Sequence, residues 1–199
     1  SHGILLSNAG YNIIGAPISG FETLIEKVRI GIEAAGTDLK VTNTTIQDLF
    51  DRPCVASVNW RQTGVYVPEQ FSLNRIQMTD QGPFRNIIQN CYNGIYINNA
   101  DISLNYNLIQ NVDYGIRYVN PPNFILGQKT TMNSNEIYTS LAGINVNCTS
   151  SSAYRLEIKG NKIYDDQTGI SNNNGYGIFV ADLPALGKAL SINKNEITA

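Results

Sequence analysis

Asn86-Ile-Ile-Gln-Asn-Cys-Tyr-Asn-Gly94-Ile95 and Asn107-Leu-Ile-Gln-Asn-Val-Asp-Tyr-Gly115-Ile116 are two copies of one ten-residue phrase. Each copy opens with Asn-x-Ile and reaches Gly-Ile eight residues after the asparagine. The frame returns at Asn135-Glu-Ile137 with Gly143-Ile144, at Asn161-Lys-Ile163 with Gly169-Ile170 and, with threonine in the first position, at Thr23-Leu-Ile25 with Gly31-Ile32. Repetition at a period of about 20–30 residues is typical of a solenoid, in which each unit stacks only on its neighbours.

The apolar pattern of the repeat predicts strands rather than helices. Ile95 and Ile97 alternate with Tyr96, which is the period of two expected of a strand with one buried face. The glycines of the four best copies are separated by 21, 28 and 26 residues. Strands can stay stacked while their turns vary in length. The sequence therefore predicts an all-β coil of three short strands, repeated in about six to seven coils.

The glycine and the asparagine of the repeat can each be assigned an expected structural role. The glycine that opens the first strand fits a place where the backbone needs freedom or close approach. The asparagines should stack into a ladder in which each side-chain amide bonds the next, and their main role is expected to be turn geometry. The members of this predicted ladder are Asn86, Asn107, Asn135 and Asn161.

In these motifs the chain resembles the right-handed parallel β-helix superfamily, which includes pectate lyases and the Asn/Gly-Ile repeat proteins grouped with them. The resemblance runs from Gly3 to the C-terminus and is weakest between Thr37 and Arg85. It implies a right-handed, single-stranded parallel β-helix. It does not choose a function, because this fold carries polysaccharide lyases, glycoside hydrolases, epimerases, tailspikes, adhesins and spacers.

Composition limits the class of protein. The chain has 199 residues, a formal net charge of −2 and only 15 % charged residues. We expect one domain over residues 1–199, cut from a longer β-helix protein. The absence of a basic face argues against nucleic acid, and no apolar run suggests membrane insertion. Neither a metal site nor a cofactor is predicted, and Cys91 is interpreted as a buried apolar residue because it occupies the position of Val112 and Val28.

Two parts of the chain depart from the repeat, one between Thr44 and Arg85 and one at Ser171 to Gly177. Arg52-Pro53-Cys54 stands where a Gly-Ile pair is expected, and Gly64-Val-Tyr-Val67 is interpreted as a strand outside the regular count. Met78 to Arg85 and Ser171 to Gly177 are interpreted as inserted loops, which is where a β-helix usually carries function.

A candidate binding surface lies on the outward positions of the first strand. These positions read Leu5, Glu33, Tyr96, Arg117 and Asn145, and Tyr66 and Phe179 extend the series if their strands join the same sheet. Aromatic rings stack on pyranose faces, while arginine and asparagine bond hydroxyls or carboxylates. The predicted carbohydrate-binding residues are Tyr66, Tyr96, Arg117, Asn145 and Phe179. The alternative interpretation is that tyrosine and phenylalanine simply suit exposed strands.

A catalytic interpretation depends on Asp165 and Asp166, the adjacent acidic pair of the sequence. Inverting glycosidases use two carboxyl groups about 6.5–9.5 Å apart. The order of Asp165-Asp166 and the His2-Gly3 element is the reverse of that in polygalacturonase-like hydrolases, which weakens this interpretation.

The sequence therefore leads to three functional expectations. The preferred one is a non-catalytic segment of an exported, surface or fibre protein that contacts a polysaccharide or cell-surface glycan outside the cell. The alternative is a lyase or hydrolase acting on an acidic polysaccharide, and the third is a structural spacer. Side-by-side association into a homo-oligomer is left open.

Overall fold

The computed structural model describes residues 1–8, 10–49, 62–68, 74–79, 82–121, 130–148, 155–165, 175–181 and 189–198. Within these ranges the protein is all-β, with a short 3-10 helix at Gly82–Phe84 and no α-helix. The strands in the first half are β1 (His2–Ser7), β2 (Tyr11–Ile14), β3 (Thr23–Glu26), β4 (Ile30–Ala35), β5 (Asp38–Val41), β6 (Thr44–Gln47), β7 (Thr63–Val67), β8 (Arg75–Met78) and β9 (Ile87–Asn98). Those in the second half are β10 (Asp101–Asn105), β11 (Leu108–Val119), β12 (Thr130–Asn133), β13 (Glu136–Asn147), β14 (Arg155–Lys159), β15 (Lys162–Asp165), β16 (Tyr176–Ala181), β17 (Ala189–Asn193) and β18 (Glu196–Thr198).

Across these ranges the strands form two sheets, and every strand pair is parallel. The large sheet has 11 strands and follows the path β1-β4-β7-β9-β11-β13-β15-β18, with β3, β6 and β16 attached beside it. The small sheet has seven strands in the order β17-β14-β12-β10-β8-β5-β2. The chain visits the two sheets in turn and returns to each one strand further along. This arrangement is compatible with a β-solenoid.

Short apolar alternations such as Ile102-Ser-Leu104 and Leu190-Ser-Ile192 stand before the repeat asparagines and predict the second strand of each coil. These strands lie in the small sheet. Ile102 is paired with Ile76 on one side, and Leu104 is paired with Met132 on the other. The strand at Leu190-Ser-Ile192 continues the stack beside β14. These short apolar alternations were therefore assigned correctly from sequence.

The strand that follows each repeat asparagine (the third strand of a coil) and the strand that opens with Gly-Ile (the first) were expected to be separate short strands. The structure differs from this expectation. In β9, β11 and β13 they run together as one strand of 12 residues. The pairing of β11 with β13 shifts between Ile109 and Tyr114, and Asn111 has a φ of 51° there. The strand bends at this irregularity, and the hydrogen bonding from coil to coil continues before and after the bend.

The core lies between the two sheets. Ile95 and Ile97 of the large sheet are fully buried in one cluster with Ile102 and Leu104 of the small sheet. Cys91 belongs to the same cluster and is paired in register with Val112, which confirms its prediction as a buried apolar residue. Burial raises the pKa of the Cys91 thiol to about 12.

Close approach explains the glycine that opens each first strand. A Cβ atom on Gly115 would lie 2.4 Å from the carbonyl oxygen of Gly143 and 2.5 Å from Cγ2 of Ile137. The contact is with backbone, so the neighbouring repeat cannot move aside cheaply. Gly64 makes the same approach to Gly94. The prediction that Gly64-Val-Tyr-Val67 lies outside the regular count is wrong, because β7 fills the place between β4 and β9.

The copy that begins at Asn161 also needs correction. Ile178 of β16 is paired with Ile144 of β13, so the Gly-Ile position belongs to Gly177-Ile178 rather than to Gly169-Ile170. The alternation of inward and outward residues in β16 sets this register. The number of residues after Asn161 does not set it. Gly169-Ile170, Arg52-Pro53-Cys54 and most of the Ser171 to Gly177 loop lie outside the described residues.

Candidate functional site

The candidate site is a single row of outward side chains on the large sheet, here called the outer ladder. Its members in strand order are Leu5, Glu33, Tyr66, Tyr96, Arg117, Asn145 and Phe179. All five residues proposed from sequence for carbohydrate binding are therefore in register on consecutive strands. Tyr66 and Phe179 were included on the condition that their strands join the same sheet, and both belong to the row.

Alternation directs these side chains away from the core. Val65 and Val67 on either side of Tyr66 are fully buried, as are Ile95 and Ile97 beside Tyr96. The outward residue between them is left half-buried by its neighbours in the ladder. Strands in register lie about 4.8 Å apart, so the row from Tyr66 to Phe179 extends over roughly 19 Å.

Arg117 is held between two aromatic rings. Its guanidinium carbon lies 5.4 Å from the ring centroid of Tyr96 and 4.6 Å from that of Tyr114. Its Nη1 donates a long hydrogen bond of 3.4 Å to Oδ1 of the buried Asn93. Cation–π contacts of this kind orient the guanidinium without using its hydrogen-bond donors. Its buried Nε makes no hydrogen bond to the described part of the chain.

Two tyrosines of this site were missed by sequence reasoning. Tyr92 and Tyr114 meet edge to face with ring centroids 5.5 Å apart, at the bend where β9 and β11 lose regular alternation. Tyr114 is paired with Asn93, so the two rings do not occupy equivalent places in their strands. The available signal was the tyrosine that stands just before Gly-Ile in both copies of the phrase, within two residues of the glycine.

The hydroxyls of Tyr66 and Tyr92 stay protonated at neutral pH, because the pKa of each lies above the ordinary value of a phenol. Burial raises the pKa of Tyr66, and the neighbouring Tyr96 and Glu33 raise it further. Burial likewise raises the pKa of Tyr92, with a smaller contribution from Tyr114. These phenols can therefore donate hydrogen bonds to a ligand.

The aromatic residues form two groups on this surface. Tyr66 and Tyr96 have ring centroids 5.6 Å apart and adjoin Arg117. Phe179 is 37 % exposed and lies 5.2 Å, centroid to centroid, from Tyr176. Asn145 stands between the two groups, in register with Arg117 and Phe179. The outer ladder thus has two apolar surfaces separated by a polar residue.

Of the two catalytic candidates, only Asp165 lies among the described residues. Asp165 is exposed at the end of β15, in register with Thr139, and its carboxylate makes no hydrogen bond or ion pair to the described residues. Asp166 lies outside the described residues. In the same described ranges, no group of three or more His, Cys, Asp or Glu side chains could hold a metal ion.

Comparison with protein-family models, with curated proteins and with solved structures gives no match. The fold and the site define the class: an all-β protein of stacked parallel strands that carries an aromatic and arginine row on one sheet face. The described residues contain no helix that is long and apolar enough to cross a membrane.

Proposed function

We propose that this protein is a right-handed parallel β-helix segment that binds carbohydrate along the outer ladder without cleaving it. In this proposal about six to seven coils present the ladder to a polysaccharide or cell-surface glycan, and the protein acts outside the cell. Side-by-side association of copies is compatible with the proposal and is not required by it.

The observation that carries the proposal is the Tyr96–Arg117–Tyr114 arrangement. A guanidinium oriented by two rings loses little conformational entropy when it bonds a sugar hydroxyl or carboxylate. Tyr66 and Tyr96 supply adjoining ring faces on which pyranose rings can stack. Together these residues resemble the binding centre of a recognition surface, in which a few aromatic and arginine anchors provide most of the affinity.

The length of the ladder favours an extended ligand. Phe179 repeats an aromatic surface at the far end of the row, beyond Asn145. A glycan lying along the stack would contact one ring group, then the polar residues, then the second ring group. A single sugar would use only part of this surface, so affinity should rise with chain length.

The test is a glycan array of acidic and neutral polysaccharides probed with the wild-type protein and with Tyr96→Ala and Arg117→Ala. Each substitution should weaken retention at least about tenfold, because each removes a central anchor. Tyr164→Ala is the matched control, since Tyr164 is also an outward tyrosine of the large sheet but stacks on Tyr138 with centroids 4.8 Å apart. It should leave retention unchanged.

Retention that survives both ladder substitutions would reject the outer ladder as the binding surface. Each glycan that binds is then assayed for new reducing ends and for unsaturated uronate. New ends would favour the lyase or hydrolase alternative and make Asp165 and Asp166 the next variants. Absence of both binding and cleavage would favour a spacer.

A further inference from the structure

A separate polar cleft lies away from the outer ladder, at the turns where the chain passes from the small sheet to the large one. It has a volume of about 310 Å³ and is open to solvent. Its charged and aromatic lining comes from Arg85, Tyr106, Glu136 and Lys162, which belong to four successive repeats. A volume of this size is at the lower end of the range for small-molecule sites, about 300–1,000 Å³.

The walls of the cleft are built by secondary structure. The 3-10 helix at Gly82–Phe84 is fixed to the preceding repeat by a 2.9 Å hydrogen bond from Asn43 N to Phe84 O. This segment is the described part of the loop expected between Met78 and Arg85, but Met78 itself is the buried last residue of β8. It places Arg85 at one end of the cleft, and Tyr106, 36 % exposed, adds a ring face.

The floor of the cleft is rigid. Ser134 and Gly160 occupy equivalent turn positions with φ angles of 55° and 65°. Directly after them stand Asn135 and Asn161, whose side chains are joined by a 2.9 Å hydrogen bond. Small residues at these turns leave open space above a hydrogen-bonded base.

The charged groups of the cleft differ in how far they are already engaged by other described residues. Arg85 Nη1 lies 3.1 Å from Glu136 Oε2, and Tyr138 donates a 2.8 Å hydrogen bond to Glu136 Oε1. Both carboxylate oxygens are therefore engaged, and the Tyr138 hydroxyl followed by Arg85 holds the pKa of Glu136 below its usual range. Lys162 is in register with Glu136, yet its ammonium makes no ion pair or hydrogen bond to the described residues.

The positive groups thus exceed the negative ones among the residues that line the cleft. One carboxylate stands against one guanidinium and one ammonium. Arg85 has donors beyond the Nη1 that meets Glu136, because a guanidinium carries five N–H groups. Glu196 also follows Lys162 in register, but it does not line the cleft.

We propose that this cleft is a second ligand site, which binds a sugar-sized polar molecule bearing one oxyanion between Arg85 and Lys162. The oxyanion accepts from the free donors of Arg85 and from the Lys162 ammonium, as charge-assisted hydrogen bonds. The exposed ring of Tyr106 covers one face of the ligand, and the exposed Ser134 is available to its hydroxyls. The shared chemistry is a carboxylate or a sulfate on a small hydroxylated ring.

Binding is measured by titration calorimetry at low ionic strength, with D-glucuronate and D-glucose 6-sulfate in separate arms and neutral D-glucose as the reference. Glucuronate or the sulfated sugar should bind, and glucose should not. Amide resonances of Ser134, Gly160 and Lys162 should shift on titration. Whichever anionic arm binds more tightly identifies the source of the oxyanion.

Lys162→Gln should weaken binding of the anionic sugar about tenfold, because it removes one charged hydrogen-bond donor. Lys162 is exposed, so this variant should keep the wild-type unfolding temperature. Lys40→Gln is the charge-matched control, since Lys40 points outward from the small sheet in register with Gln77. Tyr96→Ala tests independence from the outer ladder, and neither control should change the affinity.

Three results would overturn the proposal. One is the absence of binding by both anionic sugars. Another is equal weakening by Lys40→Gln, which would indicate a diffuse charge effect. The third is loss of binding in Tyr96→Ala, which would place the ligand on the outer ladder.

Discussion

At the scale of single residues, the asparagine ladder is the most tightly specified feature of the protein. Asn135 Nδ2 donates to Leu104 O at 2.8 Å and to Asn161 Oδ1 at 2.9 Å. Its Oδ1 accepts from the backbone N and the Nδ2 of Asn107, at 3.0 and 2.9 Å. The same links connect Asn86 to Asn107 and Asn161 to Asn195. The predicted amide-to-amide ladder is confirmed.

These asparagines do not serve the turn by adopting the left-handed conformation, although the Asn107 amide does bond the carbonyl of Asn105 within its turn. In the turns before Asn107 and Asn135 the left-handed residue is the one that precedes the asparagine, Tyr106 with a φ of 64° and Ser134 with a φ of 55°. No positive φ is found at Asn107 or Asn135. Asparagine is needed because an amide supplies both donors and an acceptor to buried backbone and to the next amide.

Asn135→Ala should therefore lower the free energy of unfolding by about 2–4 kcal/mol, since it leaves two donors of Asn107 and the carbonyl of Leu104 without their partner in a buried place. Urea unfolding followed by circular dichroism measures the change. Asn111→Gly is the comparison, because Asn111 is exposed with a φ of 51° that glycine adopts easily. Its effect should stay below about 1 kcal/mol.

An equal loss in the two variants would show that the buried ladder adds no more than an exposed amide contact. That result would contradict the assignment of Asn135 as a stabilising residue.

At the scale of the strands, the repeat distance is set by glycine and isoleucine together. The first strand of one repeat approaches the next so closely that the space above Gly115 is filled by Gly143 O and by the Cγ2 methyl of Ile137. Gly94 meets Gly115 O and Ile109 Cγ2 in the same way. The methyl of the third strand thus occupies the place where a side chain on the first strand would lie.

Gly115→Ala should lower the free energy of unfolding by about 1–3 kcal/mol or more, because the added Cβ must push apart backbone that carries the coil-to-coil hydrogen bonds. Thermal and urea unfolding measure the loss. Gly10→Ala is the control, since a Cβ there meets nothing within 4 Å. If both alanine variants were equally stable, close packing of the first strands would not be the reason for the glycine.

At the scale of the whole molecule, backbone pairing joins each described strand to its neighbours in the stack, so stability should vary along the stack. In the described residues β11 pairs along its length with β9 and β13, whereas β1 pairs only with β4 and β18 only with β15. Ile116 in β11 is fully buried, but Ile197 in β18, which is in register with the buried Ile163, is 54 % exposed.

Hydrogen exchange should follow this gradient. The amides of β11 should exchange most slowly, and protection should fall toward both β1 and β18, because a terminal strand can open without disturbing the strands behind it. Exchange followed by mass spectrometry or by NMR at residue resolution measures the profile. Equal protection of β1, β11 and β18 would indicate one cooperative unit and would contradict a sum of neighbour contacts.

The sequence by itself determined the features that depend on nearest-neighbour stacking. Copies of the phrase align Asn86 with Asn107 and Tyr96 with Arg117, and alternation of apolar residues states which side of each strand is buried. The all-β class, the asparagine ladder and the order of the outer ladder could all be predicted for this reason. Each depends on a period of two within strands and on the repeat between them.

Only the tertiary structure decided the features that depend on turn length and bend geometry. The Gly-Ile position is filled by Gly177-Ile178, in register with β13, and not by Gly169-Ile170. A longer connection costs stacked strands little, so counting residues from Asn161 does not locate this pair. Tyr114 reaches Arg117 because the bend in β11 breaks the alternation that sequence patterns follow. Arg85 meets Glu136 across two repeats, a contact that no repeat frame encodes, since it depends on where the Gly82–Phe84 segment lies in space.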